Sequence, residues 1–288
     1  MSTVSRPSLL SHIRAALKED RVRDDATTAA LFPRAVSARA VIRAGQPMTV
    51  AGLAVARLVF QSVDPKLKIR ALSRDGARVT TDQAVLVVEG DGRALLRAER
   101  VALNFLQRMS GIATLTARYV AAVRGTGARI LDTRKTVPGL RLFDKWAVRL
   151  GGGTNHRDSL ADAVMIKDNH LALLRRHLDA GAAARRARTR VRRRLPIIVE
   201  TDSLDQVRAA LTGRPDVILL DNMSPQLVRK AIGLIEGRAL VEVSGGITLT
   251  NVRRMAKAGA DRISIGALTH SAPAADLSME MSPLSQRG

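Results

Sequence analysis

The sequence predicts an α/β protein whose second half forms a small or incomplete α/β barrel. Three observations carry this. Short apolar runs recur along the second half, at ARILDTRK, ADAVMIKDN, PIIVET, DVILLDN, ALVEVSGG and DRISIGA, each followed by a helix-like stretch. The runs are continuous in Ile, Val and Leu, as strands buried on both faces of a parallel sheet must be. Each run ends in a polar or Gly-rich cluster, near Asp132, Lys167, Glu200, Asp221, Ser244 and Gly266. In a barrel the C-terminal strand ends meet on one rim. An open sheet gathers only those beside its switch point. Six chemically active ends therefore favour the barrel.

The first half reads as a separate mixed α/β domain. Leu9, Leu10, Ile13, Ala16 and Leu17 recur at helical spacing. A polar loop follows over 19–28. Residues 35–43 and 48–60 hold β-branched residues in short runs, as strands do, and Gly45–Pro47 and Asp75–Gly76 read as turns. Residues 84–89 form a strand that stops at Gly90–Gly92. From Arg93 to about Arg124 the pattern is helical, with Gly111 expected to divide it into two helices. The domain expectations are 1–111, 112–267 and a tail at 268–288.

Composition narrows the function classes. The chain has 288 residues, 46% of them hydrophobic and 2% aromatic, so the core is aliphatic. It contains no cysteine, which excludes disulfides, thiolate metal sites and a catalytic thiol. The N-terminal residues hold no signal-like apolar run, and no segment approaches the roughly 20 apolar residues of a membrane span. A cytoplasmic location is expected. The net charge is +21, which concentrates anions near the surface: nucleic acid, an anionic membrane or a highly charged small substrate. Scarce aromatics weigh against base stacking on single strands. Residues 185–194 hold seven arginines in ten positions. A solvated helix face or loop is the expectation there, and a polyanion-binding patch is the competing reading.

The rim residues form a chemical set. Arg134, Lys135, His156, Arg157 and Lys167 are cationic or basic, Glu200 and Asp221 are acidic, and Gly151–Gly153, Ser244–Gly246 and Gly266 are flexible. Arginines offer planar forks to carboxylates. Two acids suit Mg2+ or ribose hydroxyls. Gly-rich turns expose backbone N–H groups to phosphate. Taken singly, each element has a plain structural reading as a surface ion pair, a flexible loop or a tight turn. Their joint placement at successive strand ends points to a substrate pair rich in carboxylates and phosphates. No P-loop, H-E-x-x-H or G-x-S-x-G motif is present.

At these residues the chain resembles the quinolinate phosphoribosyltransferase family, whose members are also called carboxylating nicotinate-nucleotide pyrophosphorylases. The matching stretches are ERVALNFLQRMSGIATLT (99–116), ILDTRKTVPGLR (130–141), GGGTNHR (151–157), KDNH (167–170), LLDNMSP (219–225), SGGI (244–247) and IGALTHSAP (265–273), in that order. The weaker EDRVRDDATTAAL (19–31) is similar to the family's acidic N-terminal loop.

The resemblance implies an N-terminal α/β sandwich domain, an incomplete α/β barrel, and a C-terminal tail returning to the first domain. It implies transfer of the phosphoribosyl group of phosphoribosyl pyrophosphate to quinolinate, with decarboxylation and Mg2+. It also implies a homodimer, or a multiple of one, with Arg100 reaching the neighbour's quinolinate. By motif, Arg134, His156 and Arg157 would bind the two carboxylates. Lys135 and Lys167 would lie between the reacting groups and pyrophosphate. Glu200 and Asp221 would take ribose hydroxyls and the metal. Ser244, Gly245, Gly246 and Gly266 would hold the 5′-phosphate, with Ser264 also among the substrate-binding residues. The stretch 185–194 is more basic than the family pattern, and PIIVET ends in Glu-Thr where an apolar residue often follows the acid. The competing classes are a relative acting on another aromatic acid, a polyanion-binding protein, and a barrel lyase or synthase acting on another phosphosugar.

Overall fold

The computed structural model describes residues 6–174, 178–191 and 195–284. The chain divides into two compact units. The first takes residues up to Leu115, Val137–Gly152, and Ser271 onward, and the second takes Thr116–Thr136 and Gly153–His270. Both units are discontinuous in sequence, whereas the sequence expectation used contiguous ranges.

The first unit is built on a four-stranded antiparallel sheet. Its strands are β1 (Ser37–Ala44), β3 (Lys68–Ala71), β5 (Ala84–Asp91) and β12 (Leu277–Pro283), in the order β12-β1-β5-β3. Strand β1 alternates strictly, with Ala38, Ala40, Ile42 and Ala44 buried on one face. In β5, Val85, Leu86, Val87 and Val88 are all buried, so the centre of the sheet is covered on both sides, as in an α/β sandwich. A small ribbon pairs β2 (Met48–Thr49) with β4 (Arg78–Val79). Helix α1 (Arg6–Glu19) buries Leu9, Ile13 and Leu17, the stripe expected from their spacing. Helix α2 (Ala26–Leu31) starts inside the expected polar loop and is capped by Asp25, whose carboxylate accepts from Thr28 N.

Two sequence expectations fail in this unit. The run 48–60 is not extended, because after β2 the chain forms helix α3 (Leu53–Val63). Val55, Ala56, Val59 and Phe60 are fully buried at helical spacing. Asp75 supplies the cap, accepting from Leu53 N at 2.8 Å and Ala54 N at 3.3 Å, so tertiary contacts override the β-propensity of the valines. Gly111 does not break a helix, because α4 runs unbroken over Gly92–Ala122. The glycine serves close packing instead. A Cβ there would lie 2.0 Å from the carbonyl oxygen of Pro273.

Helix α5 (Arg141–Leu150) completes this unit. Phe143 is fully buried and meets Phe105 at 4.8 Å and His12 edge-on at 5.6 Å. Beside it, buried Asp144 accepts two bonds of 2.7 Å from Arg108.

The second unit holds six parallel strands: β6 (Arg129–Leu131), β7 (Val164–Ile166), β8 (Ile197–Thr201), β9 (Val217–Asp221), β10 (Leu240–Ser244) and β11 (Arg262–Ser264), in the order β6-β11-β10-β9-β8-β7. Helices α6 (Asp168–Leu173) and α7 (Ala180–Arg190) follow β7, and α8 (Leu204–Leu211), α9 (Pro225–Ile235), α10 (Val252–Lys257) and α11 (Ala267–His270) follow β8, β9, β10 and β11 in turn. Leu131 of β6 also bridges in parallel to Thr154. No pairing joins Thr154 to β7 among the described residues, so the barrel is incomplete.

Part of the Arg-rich stretch lies on α7. Arg185 donates to Thr212 O and Thr212 Oγ1, and Arg188 to Arg214 O and Asp216 Oδ2. These two arginines therefore tie α7 to the turn that follows α8. Arg186 and Arg190 are exposed. Residues 192–194 lie outside the described residues. Thr201, the unusual residue after Glu200, is buried and donates its hydroxyl to Leu219 O at 3.3 Å, which satisfies the polar atom between strands. Among the described residues, no helix is long and apolar enough to cross a membrane.

Candidate active site

The strand ends of the second unit open on a cavity of about 600 Å3. Its wall includes Arg134, Lys135, His156, Arg157, Lys167, Glu200, Asp221, Ser244, Gly245, Gly246, Ser264 and Gly266, so nearly every nominated residue shares one space. Arg100 is the exception. It is exposed on α4 in the first unit and is not among the described residues lining this cavity.

The DTRK and TNHR segments are brought together by β6. Thr154 N donates to Ile130 O at 2.8 Å, and Asp132 N to Thr154 O at 3.2 Å. The fully buried Asp132 then accepts from the Asn155 side chain and, at 2.8 Å, from His156 N. A carboxylate that orders backbone in this way need not touch a ligand to matter. His156 and Arg157 are set in place by it.

Arg134 and Arg157 form the cationic end. Burial, and after it the charge of Arg134, lowers the affinity of Arg157 for its proton, against a smaller opposite effect of Asp162. Arg157 donates to Ala163 O at 3.2 Å and approaches Met165 Sδ at 3.4 Å. Arg134 Nε is buried with no hydrogen-bond partner among the described residues. Two guanidiniums that repel each other, one with a buried donor unsatisfied, make a place for an entering anion.

The acidic side lies on neighbouring strands. Glu200, the penultimate residue of β8, is paired with Lys167, just beyond β7. Asp221 ends β9 and accepts from Asn222 Nδ2 at 3.0 Å. Both carboxylates line the cavity. Mg2+ usually takes one or two carboxylates and completes its shell with water and substrate phosphates. This donor set fits that pattern, and no cluster of three or more potential metal ligands occurs among the described residues.

The glycine turn after β10 is set by two asparagines. Gly245 has φ +84°, and a Cβ there would fall 2.2 Å from Asn222 Oδ1; any side chain would clash and be strained. Asn251 Nδ2 holds Gly246 O at 2.8 Å. The Cβ side of Gly246 has no atom within 4 Å. Across the cavity, Thr269 Oγ1 donates to Lys135 O at 2.8 Å, which fixes the lysine backbone beside Gly266.

Glu242 is a charged lining residue that sequence reasoning missed. It is fully buried in the middle of β10, and its Oε1 lies 3.2 Å from His156 Nε2. The approach has ion-pair distance without hydrogen-bond alignment, since neither carboxylate oxygen has a hydrogen-bond partner among the described residues. The available signal was an acid inside an apolar run, two residues before Ser244 and so on the same strand face. Thr133, Met165, Leu219, Ile247 and His270 also line the cavity without having been nominated for it.

Comparison with known proteins supplies the family. The family model described as quinolinate phosphoribosyl transferase, C-terminal domain, matches residues 112–280, and the corresponding N-terminal domain matches 25–110. Nicotinate-nucleotide pyrophosphorylase (carboxylating) of Mycobacterium leprae is 44% identical over 275 residues, covering 93% of this chain and 95% of that protein. The crystal structure of NadC from Streptococcus pyogenes superposes with TM-score 0.92 at 40% identity, covering 99% of this chain and 100% of that one. The nicotinate-nucleotide pyrophosphorylase of Francisella tularensis gives TM-score 0.89 at 33% identity, covering 97% and 98%. With both family domains matched in chain order and nearly its full length aligned, this chain belongs to the quinolinate phosphoribosyltransferase family.

Proposed function

We propose that this chain transfers the phosphoribosyl group of phosphoribosyl pyrophosphate to quinolinate, releasing pyrophosphate and CO2 and forming nicotinate mononucleotide in NAD biosynthesis. One observation carries the reading beyond family membership. A repelling pair of guanidiniums, Arg134 and Arg157, shares a cavity with two carboxylates and a glycine turn. A dicarboxylate satisfies the first, and a phosphosugar the second and third.

The ring nitrogen of quinolinate attacks C1 of the ribose. The bond from C1 to the pyrophosphate oxygen breaks, and its electron pair leaves with pyrophosphate. Arg134 and Arg157 hold the dicarboxylate so that the nitrogen faces C1, which is catalysis by positioning. Lys135 and Lys167 stabilise the charge that grows on the leaving group. Glu200 and Asp221 bind the ribose hydroxyls and are the side chains that would hold Mg2+, whose chemistry when bound is charge neutralisation of the phosphates. Ser244, Gly245, Gly246, Ser264 and Gly266 receive the 5′-phosphate. In the second step the bond from C2 to its carboxylate breaks. CO2 departs, the electron pair remains on C2 beside the cationic nitrogen, and a proton is taken up there.

Arg100 acts from a second copy of the chain in this reading, in a homodimer or a multiple of one. Its exposure on α4 supports that role. A cytoplasmic location fits a chain without cysteine.

The test is an assay of quinolinate with phosphoribosyl pyrophosphate and Mg2+, followed for nicotinate mononucleotide, with nicotinic acid as the control. Turnover of quinolinate is expected, with nicotinic acid slower by at least about a hundredfold because it leaves half-buried cations unpaired. Comparable turnover of nicotinic acid overturns the assignment of substrate.

A further inference from the structure

We infer that Asn222 is a positioning residue for this reaction: it couples the Asp221 carboxylate to the Gly245–Gly246 turn and so sets the span across which one phosphosugar is held. The inference deepens the proposed function and rests on it for what binds at each end of that span.

Asn222 stands where β9 stops. Asp221 is the last residue of that strand and lies opposite Ser244 in the parallel register with β10. The next residue leaves the strand with φ +53°. This left-handed backbone is uncommon outside glycine, and asparagine is among the residues that adopt it most readily. Asn222 N donates to Ser244 O at 3.0 Å, which adds one bond between the two chains beyond the strand end.

The side chain meets both neighbours at once. Its Nδ2 donates to Asp221 Oδ2 at 3.0 Å. The rest of the carboxamide fills the place where a side chain at 245 would go. A Cβ on Gly245 would fall 2.2 Å from Asn222 Oδ1 and 2.5 Å from its Cγ. Asp221, Gly245 and Gly246 line the cavity, and Asn222 is not among the described residues that do. Asn222 therefore acts through its neighbours and not by touching a ligand.

An amide suits both tasks. It offers a donor to the carboxylate and an uncharged surface to the glycine. A turn of the side chain would release both contacts together, so the acid and the glycine turn are placed relative to each other. In the proposed reaction Asp221 takes ribose hydroxyls and the turn takes the 5′-phosphate. These groups belong to one molecule with a set separation, so a fixed span favours its binding. The dicarboxylate is held elsewhere, by Arg134 after β6 and by Arg157 beyond the Thr154 bridge. Loss of the carboxamide should weaken the phosphosugar and spare quinolinate.

The test compares Asn222→Gly and Asn222→Asp with the wild type. Glycine deletes the carboxamide and adopts the left-handed backbone freely, so Tm is expected within about 3 °C of the wild type. Aspartate keeps the size of the side chain and replaces the donor by a charge of the same sign as Asp221. Isothermal titration calorimetry with ribose 5-phosphate reads the span without turnover. Each variant is expected to bind ribose 5-phosphate about tenfold more weakly and to raise KM for phosphoribosyl pyrophosphate by a similar factor, with KM for quinolinate within about twofold. Wild-type affinity of Asn222→Gly for ribose 5-phosphate overturns the proposal. Wild-type affinity of Asn222→Asp does so even if the glycine variant does not fold. Equal losses for both substrates also overturn it, because they would mark a general structural role. A tenfold difference in ribose 5-phosphate binding without any transfer to quinolinate would remove the proposed function and leave this placement of Asn222 intact.

Discussion

Arg157 has Arg134 for a neighbour, and burial first, with the Arg134 charge second, lowers its affinity for its proton. Placing two cations side by side in a partly buried cavity is unfavourable until an anion arrives. Part of the binding energy of a dicarboxylate is therefore relief of a repulsion already present.

Arg134→Ala tests that view. One carboxylate loses a charge-assisted partner, at a cost of about 2–3 kcal/mol, so KM for quinolinate should rise by roughly 30- to 150-fold. KM for phosphoribosyl pyrophosphate should move by less than about threefold. Steady-state kinetics with each substrate varied in turn separates the two. Unchanged quinolinate KM would remove Arg134 from the dicarboxylate site.

Arg100 yields a different kind of test. Arg100→Ala and Lys167→Ala proteins are each expected to be nearly inactive. Mixed under conditions that exchange subunits, they should regain up to about a quarter of wild-type activity, because some mixed dimers hold one intact site. No recovery in demonstrated heterodimers would place the action of Arg100 within its own chain.

Gly111→Ala should destabilise the first unit without altering the cavity. The added methyl meets the Pro273 carbonyl at 2.0 Å, and overpacking of this kind costs about 1–3 kcal/mol. Thermal unfolding followed by circular dichroism should show a Tm lower by several degrees. A Tm at or above that of the wild type would mean that the 273 segment yields at little cost.

The Asp91–Arg93 pair predicts a pH dependence of stability. Asp91 accepts from Arg93 Nε and its terminal nitrogen at 2.8–3.2 Å, and this bond holds its carboxyl below the ordinary value of 3.8. The folded state then binds fewer protons than the unfolded chain around that pH. The stabilisation is present above 3.8 and is lost as pH falls through the lowered value. Arg93→Ala should therefore be less stable than wild type at pH 7, with the gap closing in acid. Denaturant unfolding across pH 2–7 measures it, and a gap that is constant with pH would contradict the linkage.

What could be read from the sequence follows from which signals are local. The polar clusters after each apolar run placed Arg134, Lys167, Glu200 and Asp221 at successive strand ends, and these residues share one cavity. That worked because a parallel strand advertises itself by a continuous apolar run and its active end by the residue that stops it. Glu242 was not legible in the same way. An acid inside such a run is brought beside His156, which arrives from a distant segment. Gly111 misled for a similar reason: a glycine within a helix reads as a break until the carbonyl of Pro273 is set beside it. The helix over 53–63 was hidden because its cap, Asp75, lies beyond its own C-terminus in sequence. The segment 137–152 looks contiguous with the barrel, yet its Phe143 and Asp144 find their partners on α1 and α4.

The register of β12 against β1, from Ala38 opposite Pro283 to Ala44 opposite Leu277, has a consequence for biosynthesis. On the ribosome β1 emerges early, and the whole second unit is translated before β12 exists. Until then β1 presents one unsatisfied edge to solvent, open to pairing with another nascent chain. The sheet of the first unit is therefore completed only after the strands of the second unit have been made. Substitutions in residues 277–283 therefore act on the sheet that β1 opens.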